Sequence, residues 1–278
     1  MPLQRRPLPP PSIDRLLFPA KYDYPHFLEA DRAPFDVRAA GFSRAKAWWT
    51  AEAAHLAYWK SAKIEAALKK AFGNTVAVQS FYWENVEGYV ASFNELTVDA
   101  FAIVAFRGTE ATSLADVLTD IKFAKTKWDH GGRVHDGFFE AFDDAWKAMP
   151  WPLPAQSRVY FTGHSLGGAI ATLVADKFAS GMNAAQYGGV YTFGSPLVGD
   201  RTFVDGFNAR HAGKSFRTVN DQDGVALVPP PFVGFRHVDE ERFVGLSVRD
   251  APVLEALIDH TPSRYSILCW NAMIDDAS

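Results

Sequence analysis

The chain has 278 residues, 48% of them hydrophobic and 22% charged, with a net charge of -4. That is enough apolar material for a large core, and the balance offers no basic stripe for nucleic acid. No uninterrupted apolar run approaches the ~20 residues of a membrane-crossing helix.

The amino-terminal stretch Met1 to Arg15 carries Arg5 and Arg6, then Pro7, Pro9, Pro10 and Pro11. It lacks the apolar h-region of a recognisable signal peptide. The single cysteine, Cys269, excludes an internal disulfide and fits a reducing compartment. These two features give the expectation of a cytoplasmic location, with export by another route left open. Residues 2 to 11 fit either a disordered arm or an extended, packed one. Ser43 to Lys60 is rich in Ala and Trp at helical spacing, and Ser61 opens a second helix that Gly73 closes. The cluster Trp48, Trp49, Tyr58 and Trp59 reads as core. Val76 to Tyr82, Gly88 to Phe93 and Ala100 to Phe106 read as strands, the last apolar enough to be buried on both faces. Phe138 to Ala148 follows as a helix, Arg158 to Thr162 as a strand and Ile170 to Ala179 as a helix. Val190 to Phe193 and Phe216 to Val219 are strands separated by a helix over Arg201 to Arg210. Strands alternating with helices imply an α/β fold with a mostly parallel central sheet flanked by helices. No linker interrupts the pattern, so the expectation is a single domain over 1-278, with 1-15 as a Pro-rich arm.

Within Val159 to Ala169, Gly163-His164-Ser165-Leu166-Gly167 fits G-x-S-x-G. A β-prone run leads in and an Ala-rich helical run leads out, which is the context of a nucleophile elbow. Without that context the serine would be an ordinary βα-loop residue. A serine needs a base to take its proton and an acid to orient the base. In the α/β-hydrolase arrangement the acid and then the histidine follow the serine. Only His211, His237 and His260 lie after Ser165. His211 closes a predicted helix, where a surface position is the default. His237 sits in Phe235 to Asp239, which looks like a strand and suits a structural histidine. His260 stands at a loop-to-helix junction and is the best-placed base. For the acid, Asp221 and Asp223 both follow the strand ending at Val219, and periodicity does not separate them. Cys269, in Ser266 to Trp270, reads as a small buried hydrophobe.

From about Phe81 to Tyr265 the chain resembles the fungal-type, class 3 triacylglycerol lipases of the α/β-hydrolase superfamily. The matching segments are Val104 to Thr109, Val134 to Phe138, Thr162 to Gly168, Tyr191 to Pro196, Val219 to Pro230, and Asp259-His260 with Tyr265 following. The resemblance implies Ser165 as nucleophile, Asp223 as acid, with Asn220 opening the acid motif, and His260 as base. It implies an oxyanion hole from the backbone N–H of Leu166 and from Thr109. His164 and His135 are expected to pack rather than react. Ala111, Leu114, Val117, Leu118 and Ile121 fall on one helical face where the family carries an amphipathic lid. An ordinary core-facing helix is the alternative. The chain departs from the family at Val117, where Trp is frequent, in a slightly longer lid segment, and at Ala226, where Pro is usual.

The implied function is a serine carboxylic-ester hydrolase, a triacylglycerol lipase or esterase working through an acyl-enzyme. The alternatives are a phospholipase, or a lipase-like binding or signalling protein without turnover. No cofactor or metal is expected, no Cys/His cluster being visible. The expected partner is a lipid or small ester substrate, with transient contact at a lipid interface.

Overall fold

The computed structural model describes residues 2–94, 97–108, 123–155, 157–181, 184–220, 223–245 and 257–277. In chain order the elements begin with α1 (Ile13–Leu17), α2 (Arg44–Leu56) and α3 (Ser61–Phe72), then β1 (Val76–Trp83), β2 (Val86–Phe93) and β3 (Phe101–Phe106). A small ribbon of β4 (Lys125–Lys127) and β5 (Arg133–His135) precedes α4 (Asp136–Ala148). Then come β6 (Arg158–His164), α5 (Leu166–Ala179), β7 (Tyr187–Phe193), α6 (Arg201–Arg210), β8 (Ser215–Asn220), β9 (Glu241–Val244) and α7 (Pro262–Ala277). Local signals set several of these ends. Ser43 caps α2 by accepting the Lys46 N–H, an interaction worth about 1 kcal/mol. Gly73 ends α3 at φ 62, a conformation that costs a glycine little.

One seven-stranded sheet runs in the order β1-β2-β3-β6-β7-β8-β9. The first three strands pair antiparallel, and β3 through β9 pair parallel. Side-chain alternation divides the core into two halves. Phe101, Ile103 and Ala105 of β3 pack with α2, α7 and the amino-terminal segment. Ala102, Val104 and Phe106 of the same strand pack under α4, α5 and α6. All six are buried, as a parallel strand covered on both faces requires. The aromatic cluster is core as expected, with Trp48, Trp49, Tyr58 and Trp59 all buried, and so is Cys269.

The Pro-rich stretch is packed in extended form. The Trp270 indole N–H donates to the Gln4 carbonyl at 2.8 Å, and the Asn271 side chain bonds both the N–H and the carbonyl of Arg6. The Arg6 guanidinium lies 3.7 Å from the centre of the Trp270 ring.

Two histidine expectations are corrected. His211 caps α6 but is buried, with one ring nitrogen on Asp176 and the other on the Tyr187 hydroxyl, because the end of α6 packs against α5 and β7. His237 is in a loop and not a strand, since only the neighbouring Arg236 makes an isolated bridge, to Gly199. Its Nε2–H donates to the Ala226 carbonyl at 2.5 Å, which is a structural role. Residues 109–122 lie outside the described residues, and with them Thr109, the Ala111 to Ile121 stripe and Val117. Asp221 lies outside them too. Among the described residues no helix is long and apolar enough to cross a membrane.

Candidate active site

Strand β6 and helix α5 meet in a turn with no spare volume. A Cβ added at Gly163 would fall 2.1 Å from the Gly167 carbonyl oxygen, and one at Gly167 would fall 2.3 Å from that of Phe106. Both positions therefore require glycine. Ser165 stands between them at φ 59, ψ -131, a backbone strained for any side chain. Its N–H is held by the Phe193 carbonyl at 3.0 Å, and its own carbonyl accepts the Gly168 N–H at 2.9 Å. These bonds fix the strained residue at the carboxyl end of the sheet. Helix α5 begins at Leu166, four residues earlier than its apolar run suggested. The Leu166 N–H, first in the helix, has no partner within it by position. The second expected donor, Thr109, is outside the described residues, but Gly108 before it is not. A Cβ there would come 3.2 Å from that of Ser165, so the end of β3 abuts the serine.

Strand β8 and the junction before α7 deliver the other two groups. His260 Nδ1–H donates to Asp223 Oδ2 at 2.7 Å, and Oδ1 stands 2.9 Å away. Asp223 Oδ1 also accepts the Val225 N–H at 2.9 Å. Oδ2 accepts the Tyr265 hydroxyl at 2.5 Å, and that hydroxyl accepts the Asn220 N–H at 3.0 Å. Burial, then the charge of Asp223, push the Tyr265 phenol well above its ordinary pKa of 10.0, so it stays a donor. The Asn220 amide reaches the Asp259 carbonyl at 2.8 Å, tying β8 to the residue before His260. Gly194 makes room for the pair. At φ +54, a Cβ there would sit 2.5 Å from Asp223 Oδ2 and 2.9 Å from His260 Nδ1.

An ionised carboxylate only accepts, so the proton between Asp223 and His260 is on Nδ1, leaving Nε2 as the basic nitrogen. Nε2 of His260 and Oγ of Ser165 are both buried, and neither has a hydrogen-bond partner among the described residues. One basic nitrogen and one hydroxyl are thus left unmatched by the described residues at the same end of the sheet. This set can take a proton from a serine and stabilise the imidazolium that results.

The structure brings Ser165, Leu166, Asp223 and His260 to one end of the sheet. His164 packs inside the elbow with Nδ1 2.8 Å from the Tyr58 hydroxyl, and His135 is buried at the start of α4. Sequence reasoning gave no role to Tyr265, Gly194 or Tyr58. Tyr265 and Gly194 stand inside segments matched to the family, which was an available signal; Tyr58 had only its place in an aromatic cluster. Among the described residues no group of three or more His, Cys, Asp or Glu could hold a metal.

The family model described as Lipase (class 3) matches residues 103–233, a span that holds Ser165 and Asp223 and ends before His260. A lipase of Rhizopus niveus is 30% identical over 192 residues, 63% of this chain and 46% of its own. A secreted mono- and diacylglycerol lipase 1 of Fusarium solani is also 30% identical, over 50% of this chain and 42% of its own. The chain therefore spans about half the length of the curated relatives it matches. The solved structure of lipase II from Rhizopus niveus superimposes with a TM-score of 0.60 at 25% identity, covering 73% of this chain and 82% of that one. The fold is the expected α/β-hydrolase fold. The cytoplasmic expectation is overturned, because the Fusarium relative is a secreted protein by name. An amino-terminal stretch without an h-region does not fix a compartment, and a buried lone cysteine suits either redox setting.

Proposed function

We propose that the chain is a class 3 lipase, an extracellular serine hydrolase of acylglycerol esters. Ser165 Oγ attacks the ester carbonyl as His260 Nε2 takes its proton, and Asp223 holds the imidazole and balances its charge. The Leu166 N–H, together with Thr109, receives the carbonyl oxygen as it becomes an oxyanion; such a donor is worth roughly 3–4 kcal/mol of barrier. His260 returns the proton to the leaving alcohol, and water then hydrolyses the acyl-enzyme by the same route. The observation that carries this reading is the buried Asp223–His260 pair with its second nitrogen free, beside a serine on a positive-φ turn. The lipase names of the relatives support acylglycerols as the substrate class.

An organophosphonate ester should label the wild-type protein stoichiometrically at Ser165. Ser165→Ala should fold normally, fail to label, and hydrolyse p-nitrophenyl esters about 10³-fold or more slowly. Retention of a tenth of wild-type turnover by that variant would overturn the mechanism. A panel of tri-, di- and monoacylglycerols beside phosphatidylcholine assigns the ester class.

A further inference from the structure

His164 occupies the variable position of the elbow, and its ring touches more of the site than its place in the sequence suggests. The imidazole is buried, and its centre lies 4.3 Å from that of His260, with the planes tilted by 36°. The ring of Tyr265 meets it edge-on at 5.5 Å, and Tyr265 is the residue that bonds Asp223. Tyr58, just past the end of α2, fixes the ring through Nδ1 at 2.8 Å. A Cβ on Gly108 would fall 2.3 Å from the Tyr58 hydroxyl and 2.6 Å from the His164 carbonyl, so the end of β3 presses on the same pair. One side chain thus adjoins the nucleophile along the backbone, the base by ring contact and the acid through Tyr265.

We propose that His164, anchored by Tyr58, is a positioning residue whose ring seats the His260 imidazole with Nε2 toward Ser165. It exchanges no proton itself. A flat face at this spacing restricts rotation of the His260 ring about its bond to Asp223, the one motion that hydrogen bond alone leaves free. The face must also be uncharged, because a second cation would oppose formation of the His260 imidazolium, whereas a neutral π face favours it. Burial, and then the adjacent His260, hold the His164 pKa well below 6.5. The other titratable groups around it are Tyr58, Tyr265 and His55 of α2. Each is buried, the Tyr265 phenol pKa is raised and that of His55 lowered, so both stay uncharged near neutrality.

The inference rests on Ser165, His260 and Asp223 being the reacting set, and the test separates the two ideas. Active sites are first counted by phosphonate titration; kcat per titrated site and KM are then measured on a soluble p-nitrophenyl ester. His164→Leu fills the volume without a flat face and should lower kcat per site by about 10- to 100-fold, the scale of a small misplacement of a reacting group. KM should stay within about twofold, because no ester contact is lost. His164→Phe restores the face without the anchor and should stay within about fivefold of wild type, with an unchanged acidic limb of kcat/KM. Tyr58→Phe removes one hydroxyl and should lower kcat per site by about 3- to 10-fold, the range of one neutral hydrogen bond.

Equal kcat per site in the Leu and Phe variants would overturn the proposal. So would a loss confined to the number of titratable sites, which would mean that His164 serves folding alone. Should the Leu variant not fold, Tyr58→Phe decides, and an unchanged kcat per site would sink the idea. Failure of the underlying mechanism looks different: the wild type would not titrate and Ser165→Ala would stay active.

Discussion

Two buried aspartates in this molecule each hold a buried histidine, and they serve opposite ends. Asp176, on α5, accepts His211 at 2.8 Å, His130 at 2.9 Å, Trp128 at 2.6 Å and Arg210 through two nitrogens at 2.9 and 3.1 Å. Asp223 accepts His260, Tyr265 and one backbone N–H, with no arginine or lysine among these donors. The second nitrogen of His211 is closed by the Tyr187 hydroxyl at 2.8 Å; that of His260 is open. An acid–histidine pair is therefore not a site in itself. Where every lone pair and proton is matched, the pair ties elements together. Where one basic nitrogen is left over beside a strained serine, the pair can do chemistry. The elbow strain and the unmatched nitrogen are both costs, and the surrounding sheet and helices offset them.

Exchanging the acids is the sharpest way to break this contrast. Asp223→Asn should lower kcat by about 10³- to 10⁴-fold, because an amide no longer fixes the His260 tautomer, while thermal stability stays close to wild type. Asp176→Ala should do the reverse. It strands Arg210 and His211 and should cost about 3–5 kcal/mol in urea unfolding, with kcat per titrated site unchanged. If Asp176→Ala instead loses turnover per site, the two carboxylates are coupled and the contrast fails.

Acid sensitivity sharpens the same comparison. Burial by itself would raise the Asp176 pKa, but hydrogen bonds from His211, Arg210, Trp128 and His130 outweigh it and hold the carboxyl well below its ordinary 3.8. A carboxyl depressed in the folded state contributes stability that is present above the unfolded pKa and is lost as pH falls through it toward the folded value. Wild-type stability should therefore fall below about pH 4, and the slope should be shallower in Asp176→Ala, as followed by unfolding at pH 2 to 5. A smaller effect belongs to Tyr265→Phe. Losing one hydrogen bond to the Asp223 carboxylate should reduce kcat by about tenfold, with KM unchanged on a soluble ester.

The elements that positioned the site were legible in the sequence wherever the signal was local. The strand pattern of Ala100 to Phe106 and the glycines about Ser165 describe packing over a few residues, and the observed β3 and elbow follow them. The apolar run suggests a start of α5 at Ile170, but the helix begins at Leu166, where Gly167 and Gly168 pass so close to Phe106 and Ser195 that no side chain fits. His237 resembled a strand residue, but only a single bridge forms beside it. Periodicity left Asp221 and Asp223 unseparated; the family motif favoured Asp223, and the tertiary structure places that carboxylate on His260.

Patterning along the chain accounts for the alternation of strands and helices and for the glycine-flanked elbow, since these depend on near neighbours, while the choice of Asp223 and His260 came from the family motif. Which polar groups are saturated was set by the folded molecule. It closed His211 with Asp176 and Tyr187, left Nε2 of His260 open, and drew Tyr265, Gly194 and Tyr58 around the pair. Saturation depends on donors far apart in sequence that meet only when the sheet has formed, and a one-dimensional pattern carries no record of that meeting.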